Sequence, residues 1–570
     1  MRNRFIFRVR VLSVAFILFA AVLIVRLYVV QVVHGDSYRK EATGQYIAEA
    51  PDIQDRGDIL FTVKDGSSVA AAVMQSGWRV AIQPKILIDP QGVYDALSSV
   101  VLVDKERFFD SAAKKDDPYE EIAFRVDDTS ADTIRALKLD GVLVVRDEWR
   151  RYPGQQLAAH AVGFVGFRGE RKEGVYGIER YYEDTLKRAA ADLYVNPFAE
   201  IFTNVAAAVV GDSAAHEGDV ITTIEPNVQT QLERTLGEVM EKFHPKKVGG
   251  IVMDPQTGEI VAIALLPTFD PNTYNTESDP SIFTNSMVEG VYEMGSIMKP
   301  LTMAAGIDVG AVTPETTYND KGCIIKSGAK VCNFDGKGRG VVNMQEVLSQ
   351  SLNTGVSFVV DKMGKSAFRD YMRVYGLGEE TGIDLPNEVA GNIKALDGDS
   401  DVDFASASFG QSIAVTPIEM TRALASLGNG GILPEPHVVK AIRSASGMTR
   451  TIQQAPPRRV LKEETADTVT RMLVKVYDDA LLGGELKQER YSIAAKTGTA
   501  QIARPSCGGY CDGVFLHSFF GYFPAHDARF IVFLYAVEPH GELYASHTLA
   551  HPFYDMTKFL INYYGIPPDR

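Results

Sequence analysis

The sequence predicts an α+β protein of at least two domains that follow an N-terminal transmembrane helix. Its 570 residues are too many for a single hydrophobic core. An uncharged apolar stretch lies near the N-terminus, and the C-terminal part contains both strand-like and helix-like apolar patterns. With 45% hydrophobic and 9% aromatic residues, the chain can form well-packed cores.

The apolar stretch at residues 11–33 predicts an uncleaved membrane anchor. A helix of this length would measure about 34 Å, enough to span a bilayer with some tilt. Its basic N-terminal flank predicts that residues 1–10 form a cytoplasmic tail and that everything after about residue 34 lies outside the cytoplasm. A cleavable signal peptide is the alternative, but it should have a shorter apolar region and an A-x-A-like site. The flanking arginines are Arg2, Arg4, Arg8 and Arg10.

Residues 34–224 are predicted to form a β-rich, mixed pedestal domain. Residues 56–61 are typical of the start of a strand, and residues 78–84 of a strand that ends at its proline. No nucleophile, base and orienting group occur together in this segment, so we expect a structural role. His160 has no accompanying serine, cysteine or metal-ligand spacing, which favours packing or hydrogen bonding over catalysis.

The second extracytoplasmic domain is predicted to span residues 225–570. Residues 219–225 have the pattern of a strand, residues 228–243 that of an amphipathic helix, and residues 249–264 that of two strands around a Pro/Gly turn. Three later apolar or alternating runs predict adjacent strands, followed by a helix. The strands are residues 493–503, 518–524 and 530–537, and the helix is residues 552–564.

Ser296 and Lys299 have the spacing of a nucleophile and its base. Residues three apart on a helix lie on the same face. Serine needs a neighbouring base near neutral pH, and a lysine can serve when burial or a second cation lowers its pKa. Gly295 would let the backbone turn into the helix, which leaves the N–H of Ser296 free to face a developing oxyanion.

This spacing is informative only in context. Downstream of Ser296 lie Ser351-Leu352-Asn353 and then Lys496-Thr497-Gly498-Thr499, which gives the patterns SxxK, SxN and KTG in that order. Lys326-Ser327-Gly328 is similar to KTG in composition, but it precedes SxN and nothing around it predicts a strand. The other SxxK pairs, which we expect to be ordinary surface residues, are Ser37/Lys40, Ser111/Lys114 and Ser327/Lys330.

Charge and cysteine content limit the other classes of function. The net charge of −15 argues against nucleic acid as a partner. Cys323/Cys332 and Cys507/Cys511 are first interpreted as disulfides, because the domain is predicted to lie outside the cytoplasm. Free thiols and a four-cysteine metal site are the alternatives, but neither pair has the short CxxC spacing usual for zinc. We expect no metal and no organic cofactor.

The ordered motif set is the one found in serine penicillin-binding proteins and β-lactamases. Over nearly the whole chain, the sequence resembles class B penicillin-binding proteins, which are monofunctional, membrane-anchored peptidoglycan transpeptidases with a pedestal of the dimerisation type. Their catalytic domain has a helical lobe and an antiparallel sheet covered by helices. Residues 60–66 depart from the family pattern, which has an aromatic, Asp-Arg and glycine there. The matching stretches are residues 26–32, 56–59, 151–153, 159–163, 174–179, 381–386 and 410–417.

The resemblance implies a reaction and a role for each motif residue. Ser296 would attack the penultimate D-Ala carbonyl of a stem pentapeptide, release the terminal D-Ala and pass the acyl group to an amine of a neighbouring stem. Lys299 would take the proton from Ser296. Ser351 would relay a proton to the leaving amine, and Asn353 would hold Lys299 and the substrate amide. Lys496, Thr497 and Thr499 would bind the terminal carboxylate, and Gly498 would let the substrate pair as an added strand. The N–H groups of Ser296 and Thr499 would form the oxyanion hole.

Several alternatives stay open. A β-lactamase would not need an anchor or a pedestal, and Leu352 replaces the aspartate usual in class A enzymes. A non-catalytic scaffold or antibiotic sensor would not need every motif residue. A D,D-carboxypeptidase differs only in passing the acyl group to water. Between elongation and division, the overall length and the resemblance at residues 353–355 and 376–378 favour the division septum.

Glu388 resembles the glutamate by which class A β-lactamases position a hydrolytic water, with Asn392 four residues later. The same residues also match a Pro-x-Glu-x-x-Gly loop of class B proteins. Gly391 replaces the leucine that would pack the hydrolytic loop. We therefore expect Glu388 to face solvent or to pin its own loop, and penicillin to remain bound as a long-lived acyl-enzyme.

The resemblance also implies partners and a location. The expected ligands are peptidoglycan stem peptides, penicillin and other β-lactams. The expected protein partners are a membrane-embedded glycosyltransferase and proteins of division or elongation. The protein is expected in the plasma (inner) membrane, with a single span and the bulk of the chain in the periplasm.

Overall fold

A computed structural model describes residues 56–169, 171–188, 217–444 and 447–570. These residues belong to one compact unit, Asp55–Arg570. The predicted cytoplasmic tail and anchor lie outside the described residues. Within the described ranges, no helix is both long enough and apolar enough for a bilayer.

Strands account for two main sheets and several short hairpins. They are β1 Ile59–Thr62, β2 Ser68–Ile82, β3 Glu120–Val126, β4 Val142–Arg151, β5 Val165–Arg168, β6 Arg171–Gly174, β7 Gly218–Thr222, β8 Lys247–Met253, β9 Ile260–Leu266, β10 Thr317–Asp320, β11 Cys323–Lys326, β12 Ala329–Cys332, β13 Gly340–Asn343, β14 Ile432–Leu433, β15 Val439–Ser444, β16 Thr449–Thr451, β17 Arg458–Arg459, β18 Ala494–Arg504, β19 Gly509–Phe523 and β20 Phe530–Val537.

Helices surround both sheets. The α-helices are α1 Pro90–Ser98, α2 Lys105–Ala113, α3 Asp128–Ala136, α4 Ala159–Val162, α5 Gly177–Tyr181, α6 Glu183–Leu186, α7 Pro226–Phe243, α8 Ser286–Glu289, α9 Lys299–Asp308, α10 Met344–Ser349, α11 Asn353–Met363, α12 Lys365–Val374, α13 Asp401–Ala407, α14 Pro417–Gly428, α15 Glu463–Lys475 and α16 Ala545–Tyr564. Short 3₁₀ turns include Gly295–Met298 and Pro505–Cys507.

A five-stranded antiparallel sheet forms the centre of the C-terminal region, with the strand order β18-β19-β20-β8-β9. Its central strands are almost entirely buried, so apolar side chains project from both faces, as expected for a sheet covered on both sides. Helices α7 and α16 cover one face through a shared apolar cluster. Side chains of this cluster include Leu232, Leu236, Phe519, Val532, Leu549 and Phe553.

The other face of this sheet packs against the helical lobe. Ile297 and Met298 lie in one apolar cluster with Phe520 and Tyr535 of the sheet. The described residues therefore form a mixed α/β structure with the predicted helical lobe and helix-covered antiparallel sheet. Since Ser296 precedes Ile297, this packing fixes the nucleophile segment against the sheet.

Three predicted element boundaries differ clearly from the structure. Strand β2 begins at Ser68, well before the predicted residue 78, because its first part pairs with β1. The last helix begins at Ala545, ahead of the predicted start at Pro552, and contains that proline in its interior. Proline is favoured in the first turn of a helix, which made residue 552 resemble a start. Burial of Ala545 and Leu549 instead extends the helix toward its N-terminus. Strand β19 begins at Gly509, well before the predicted residue 518, because its first part forms an extended hairpin with β18.

A seven-stranded sheet combines segments from both predicted domains. Its order is β16-β15-β7-β1-β2-β3, and β4 also pairs with β2. Strand β7 lies between β1, which is parallel to it, and β15, which is antiparallel. The predicted pedestal and the chain after residue 225 thus share backbone hydrogen bonds. The domain boundary near residue 225 stays a prediction.

Candidate active site

Ser296 lies on the 3₁₀ turn Gly295–Met298, and Lys299 begins the α-helix that follows it. Gly295 has φ +66°, a left-handed conformation that glycine adopts without a steric penalty. The N–H of Gly295 donates to the carbonyl of Gly410 over 3.0 Å. Ser518 Oγ donates to the carbonyl of Met294 over 2.8 Å. The backbone before the nucleophile is therefore held from two sides.

Lys299 and Lys496 converge on Ser351. Lys299 Nζ donates to the backbone carbonyl of Ser351 and, over 3.1 Å, to its Oγ. Lys496 Nζ lies 3.1 Å from the same Oγ. One side chain from each of the three predicted motifs therefore takes part in this cluster. No hydrogen bond between Lys299 and Ser296 is present in the described part of the chain, so the proton transfer between them stays a prediction.

Burial lowers the pKa of both lysines. The side chain of Lys299 is fully buried, and that of Lys496 is 4% exposed. Desolvation holds the pKa of Lys299 well below its ordinary value, and the charge of Lys496 lowers it further. Desolvation lowers the pKa of Lys496 to about 8. Lys299 is therefore the group more readily neutral near pH 7, as a base must be.

Ser351 is placed between the lysines by an unusual backbone conformation. It has φ +54°, which is uncommon for a residue with a side chain. The next residue, Leu352, is fully buried and immediately precedes α11. The N–H groups of Ser351 and Leu352 donate to the carbonyls of Leu348 and Val347, over 3.2 Å and 2.9 Å. This tight turn between α10 and α11 presents the hydroxyl of Ser351 to both lysines.

Asn353 has a structural partner that the sequence did not indicate. Its Nδ2 donates to the carbonyl of Cys332 over 2.8 Å. Cys332 is joined by a disulfide to Cys323, its pairing partner across the β11–β12 hairpin. No hydrogen bond from Asn353 to Lys299 occurs among the described residues, so that implied role is not part of this conformation. The contact instead ties the SxN turn to the disulfide hairpin.

Strand β18, which carries Lys496 to Thr499, is at the edge of the five-stranded sheet. Its N–H and C=O groups on the outer side are available to an added strand. A Cβ on Gly498 would lie 2.3 Å from Ser518 Oγ and 2.7 Å from the carbonyl oxygen of Met294. The glycine is therefore needed for close packing of β18 against the nucleophile segment. This reason is independent of the predicted approach of substrate.

The threonines of this strand are partly exposed. Thr499 Oγ1 accepts a hydrogen bond of 3.1 Å from the N–H of Ala545, which leaves its own hydrogen available to a ligand. A Cβ on Gly295 would lie 3.0 Å from the carbonyl carbon of Thr499, so the two segments that carry the predicted oxyanion-hole donors are in contact. Lys496 Nζ also donates to the carbonyl of Thr497 over 3.1 Å. Hydroxyl and ammonium groups therefore line the edge of β18.

The other Ser-x-x-Lys pairs form no comparable site. Ser111 is buried, contrary to the expectation of a surface residue, on the inner face of α2, and it donates to Glu120 over 2.8 Å. Lys114 pairs with the same glutamate. Ser327 lies in the turn of the β11–β12 hairpin, so the KTG-like tripeptide is flanked by two strands, contrary to the expectation from the sequence. Ser37 and Lys40 lie outside the described residues.

Glu388 and His160 both have structural partners. Glu388 accepts hydrogen bonds from the N–H and the hydroxyl of Thr381, over 2.7 Å and 2.6 Å, and from the N–H of Gly382 over 2.9 Å. It pins its own loop, as expected. His160 is buried, with Nε2 2.9 Å from the carbonyl of Ile282 and its ring edge-on to Phe269. The structure thus gives His160 the packing role that the sequence favoured.

Three residues near the site were not singled out from the sequence. Ser518 fixes the carbonyl of Met294, as described above. Glu293, directly before the SxxK segment, accepts hydrogen bonds from the N–H of Ser412 over 2.7 Å and from the hydroxyl of Tyr510 over 3.0 Å. Tyr510 lies within the loop closed by the Cys507–Cys511 disulfide. Only the position of Glu293 beside the motif could have indicated it.

All four cysteines are disulfide-bonded. In the described ranges, no three or more His, Cys, Asp or Glu side chains are grouped so that they could hold a metal ion.

Comparison with known proteins shows the family of this chain. Residues 248–557 match the family model of the penicillin-binding protein transpeptidase domain. Stage V sporulation protein D of Bacillus subtilis is 30% identical over 92% of this chain and 81% of its own length. Peptidoglycan D,D-transpeptidase FtsI of Escherichia coli is 27% identical over 76% of this chain and 70% of its own length. Penicillin-binding protein 3 of Mycobacterium tuberculosis, in its apo form, is 26% identical with a TM-score of 0.65, over 74% of this chain and 92% of that chain. The chain therefore belongs to the class B penicillin-binding proteins, a family of peptidoglycan D,D-transpeptidases.

Proposed function

We infer that this enzyme cross-links peptidoglycan stem peptides through an acyl-enzyme on Ser296. The observation that supports this most strongly is the convergence of Lys299 and Lys496 on Ser351 Oγ, both at 3.1 Å. A fully buried lysine with a strongly lowered pKa is suited to accept a proton from serine. The open edge of β18 beside these groups is suited to bind an extended peptide.

Acylation follows from the roles of these residues. Lys299, in its neutral form, takes the proton of Ser296 as Oγ attacks the carbonyl carbon of the penultimate D-Ala. The N–H groups of Ser296 and Thr499 stabilise the oxyanion, a contribution of about 3 kcal/mol per donor. The peptide C–N bond then breaks, and the proton passes through Ser351 to the leaving amine of the terminal D-Ala. Lys496 holds the carboxylate of that residue.

Transfer reverses the path with a new nucleophile. An amine of a neighbouring stem attacks the ester carbonyl and loses a proton to the relay of Ser351 and Lys299. The ester C–O bond breaks, Ser296 Oγ regains its proton, and a new amide joins the stems. A β-lactam enters the same first step, but its leaving group stays attached to the acyl-enzyme and blocks the next reaction.

Mass spectrometry of the full-length protein after exposure to a labelled penicillin tests this function. The expected result is one adduct on the peptide that contains Ser296, with no adduct in Ser296→Ala. Labelling of the Ser296→Ala protein would contradict the assignment. A D-Ala-D-Ala thioester analogue, offered with an amine acceptor or with water alone, then separates a transpeptidase from a carboxypeptidase.

We also propose that the enzyme acts at the division septum, anchored by residues 11–33 with its N-terminus in the cytoplasm. The septal role is supported by the resemblance at residues 353–355 and 376–378. A fluorescent fusion should concentrate at midcell, and a uniform signal along the wall would favour an elongation role.

The anchor is tested separately. Protease added outside should cleave beyond residue 35 and leave the first ten residues protected. A mature protein that begins after residue 33 would contradict the anchor. Its protein partners would be a membrane-embedded glycosyltransferase and other division proteins.

A further inference from the structure

Glu293 is an acidic residue beside the nucleophile that the mechanism above does not use. It lies three residues before Ser296. Its Oε1 accepts hydrogen bonds from Ser412 N–H and from Tyr510 Oη. Its Oε2 is buried and has no hydrogen-bond partner in the described part of the chain. One oxygen of this carboxylate is therefore satisfied and the other is not.

No cation balances this carboxylate among the described residues. Its hydrogen-bond partners are a backbone amide and a phenol, both neutral. Burial raises the pKa of Glu293, and only these two hydrogen bonds oppose that effect. A carboxylate removed from water without a positive partner is costly, and such groups are normally paired. Glu293 thus has an unmet capacity to bind a cation.

Glu293 lies near the edge of β18, where the substrate is expected to bind. Gly295 packs against Thr499 of β18, and Tyr510 lies opposite Ala503 near the other end of the same strand. Glu293 therefore lies alongside the part of β18 from Thr499 to Ala503, a length of about 13 Å in an extended strand. A donor peptide whose carboxylate is at Lys496 would extend its upstream residues along this part of the edge.

The chemistry of the reaction supplies a cation at that place. The acceptor stem must carry an amine, because the acyl group is transferred to one. Donor and acceptor stems belong to the same polymer, so the donor carries the same amine-bearing side chain upstream of its D-Ala-D-Ala end. In the donor this amine is not consumed, and near neutral pH it is an ammonium.

We propose that Glu293 is a specificity-determining residue that binds the ammonium group of the donor stem peptide. Tyr510 occupies Oε1 in the free enzyme and yields this position as the ammonium reaches the carboxylate. The Cys507–Cys511 disulfide keeps Tyr510 on a short closed loop, so that it returns to Glu293 after release. This inference rests on the proposed acyl-enzyme function and adds the class of donor that the site selects.

The test compares two acyl donors of the full-length protein in the absence of any acceptor. One is a lysyl-D-alanyl thioester with a free side-chain amine, and the other is the same compound with that amine acetylated. Acylation of Ser296 is followed by thiol release and mass spectrometry. The wild-type enzyme is expected to react at least about tenfold faster with the ammonium form, the effect of one charge-assisted hydrogen bond.

Three variants test whether Glu293 causes the preference for the ammonium donor. In Glu293→Gln, which keeps the shape and removes the charge, the ratio of the two rates should fall to about one. The ratio cancels any general loss of activity, because both donors meet the same altered site. Glu388→Gln is the matched control, since that carboxylate pins a separate loop, and it should keep the wild-type ratio. Tyr510→Phe removes the competing donor and should keep or enlarge the ratio.

The proposal would be overturned if the wild-type enzyme reacted at equal rates with the two donors. It would also be overturned if Glu293→Gln kept the wild-type ratio of rates, or if the ratio fell to about one in Tyr510→Phe. These outcomes differ from a failure of the proposed function. If neither thioester nor penicillin labels Ser296, the acyl-enzyme mechanism fails. If both thioesters label it equally well, only the role of Glu293 fails.

Discussion

At the scale of single residues, the proposed mechanism depends on a buried lysine whose pKa is held well below its ordinary value. Among the residues that the structure describes, Lys299 has no carboxylate partner, and its hydrogen bonds go to the carbonyl and hydroxyl of Ser351. A buried ammonium with neutral partners is destabilised relative to the neutral amine. The same burial that disfavours the charge thus suits Lys299 to the proposed role of base.

Replacement of this base should separate activity from stability. We expect Lys299→Met to lower the rate of acylation by penicillin at least about a hundredfold, since a general base contributes about 10²–10⁴. The melting temperature should not fall, because a desolvated amine is replaced by an apolar side chain of similar length. Stopped-flow acylation and thermal unfolding measure the two effects. A rate near that of the wild type would contradict the assignment of Lys299 as the base.

The two lysines also predict the pH dependence of acylation by a donor with a free carboxylate. The rate should fall toward low pH as Lys299 becomes protonated, because only its neutral form can accept a proton. It should also fall as the pH rises through about 8, where Lys496 loses the charge that binds the carboxylate. In Lys496→Arg, the alkaline fall should move to higher pH, since arginine stays charged. The same alkaline fall in both proteins would exclude Lys496 as its cause.

At the scale of secondary-structure elements, the edge strand β18 and the segment of the nucleophile are fitted to one another. Gly498 allows the strand to approach the carbonyl of Met294, which Ser518 also holds. The disulfide hairpin β11–β12 supports Asn353 through the carbonyl of Cys332. The SxxK and KTG segments thus hold one another in place, and the SxN turn is supported by a hairpin that has no part in the proposed chemistry.

Gly498→Ala tests the fit of β18. The added Cβ would overlap a backbone carbonyl, which cannot rotate away as a side chain can, so we expect a loss of stability of about 1–3 kcal/mol and slower acylation. Gly237→Ala is the control: Gly237 lies within α7, and a Cβ there would meet nothing within 4 Å. That change should stabilise the protein by about 0.5–1 kcal/mol. A harmless Gly498→Ala, judged by urea unfolding and penicillin labelling, would refute the proposed fit.

At the scale of the whole molecule, polar contacts that are at least partly buried join the chain before residue 225 to the chain after it. Tyr182 Oη donates to Asp384 over 2.9 Å, and Asp384 also accepts from the N–H groups of Val438 and Val439, over 2.6 Å and 3.0 Å. Two stretches that the sequence marked as family-like, near residues 174–179 and 381–386, therefore lead into one interface. The shared seven-stranded sheet runs beside it.

Two buried histidines predict how the stability of the folded protein depends on pH. Burial lowers the pKa of both His160 and His517 from 6.5 to about 4. Between these values the unfolded chain binds more protons than the folded protein, so the free energy of unfolding falls as the pH is lowered. The expected loss from pH 7.5 to pH 5 is about 2 kcal/mol per histidine.

Urea unfolding at the two pH values measures this loss. The variants His160→Asn and His517→Asn should each lose less stability than the wild type over the same interval, whatever their stability at pH 7.5. An equal pH dependence in all three proteins would mean that other groups cause it.

The sequence by itself determined the chemistry of this protein. The order of SxxK, SxN and KTG identified the family, and the patterns of apolar residues located most strands of the catalytic sheet. Such features depend on short separations along the chain, where helix and strand periodicity fix which side chains share a face. The loop-pinning role of Glu388 could also be predicted, because its surroundings match a class B loop and Gly391 replaces the leucine of the hydrolytic loop. The packing role of His160 could be predicted because no serine, cysteine or metal-ligand spacing accompanies it.

Only the tertiary structure decided which groups meet. The contact of Lys299 and Lys496 at Ser351, the support of Asn353 by Cys332, and the pairing of Glu293 with Tyr510 join residues far apart in the sequence. The long hairpin of β19 and the early start of α16 likewise depend on partners elsewhere in the chain. Sequence periodicity reports which face of an element is apolar, but burial, pKa and hydrogen-bond partners arise only when separate elements pack together and exclude water.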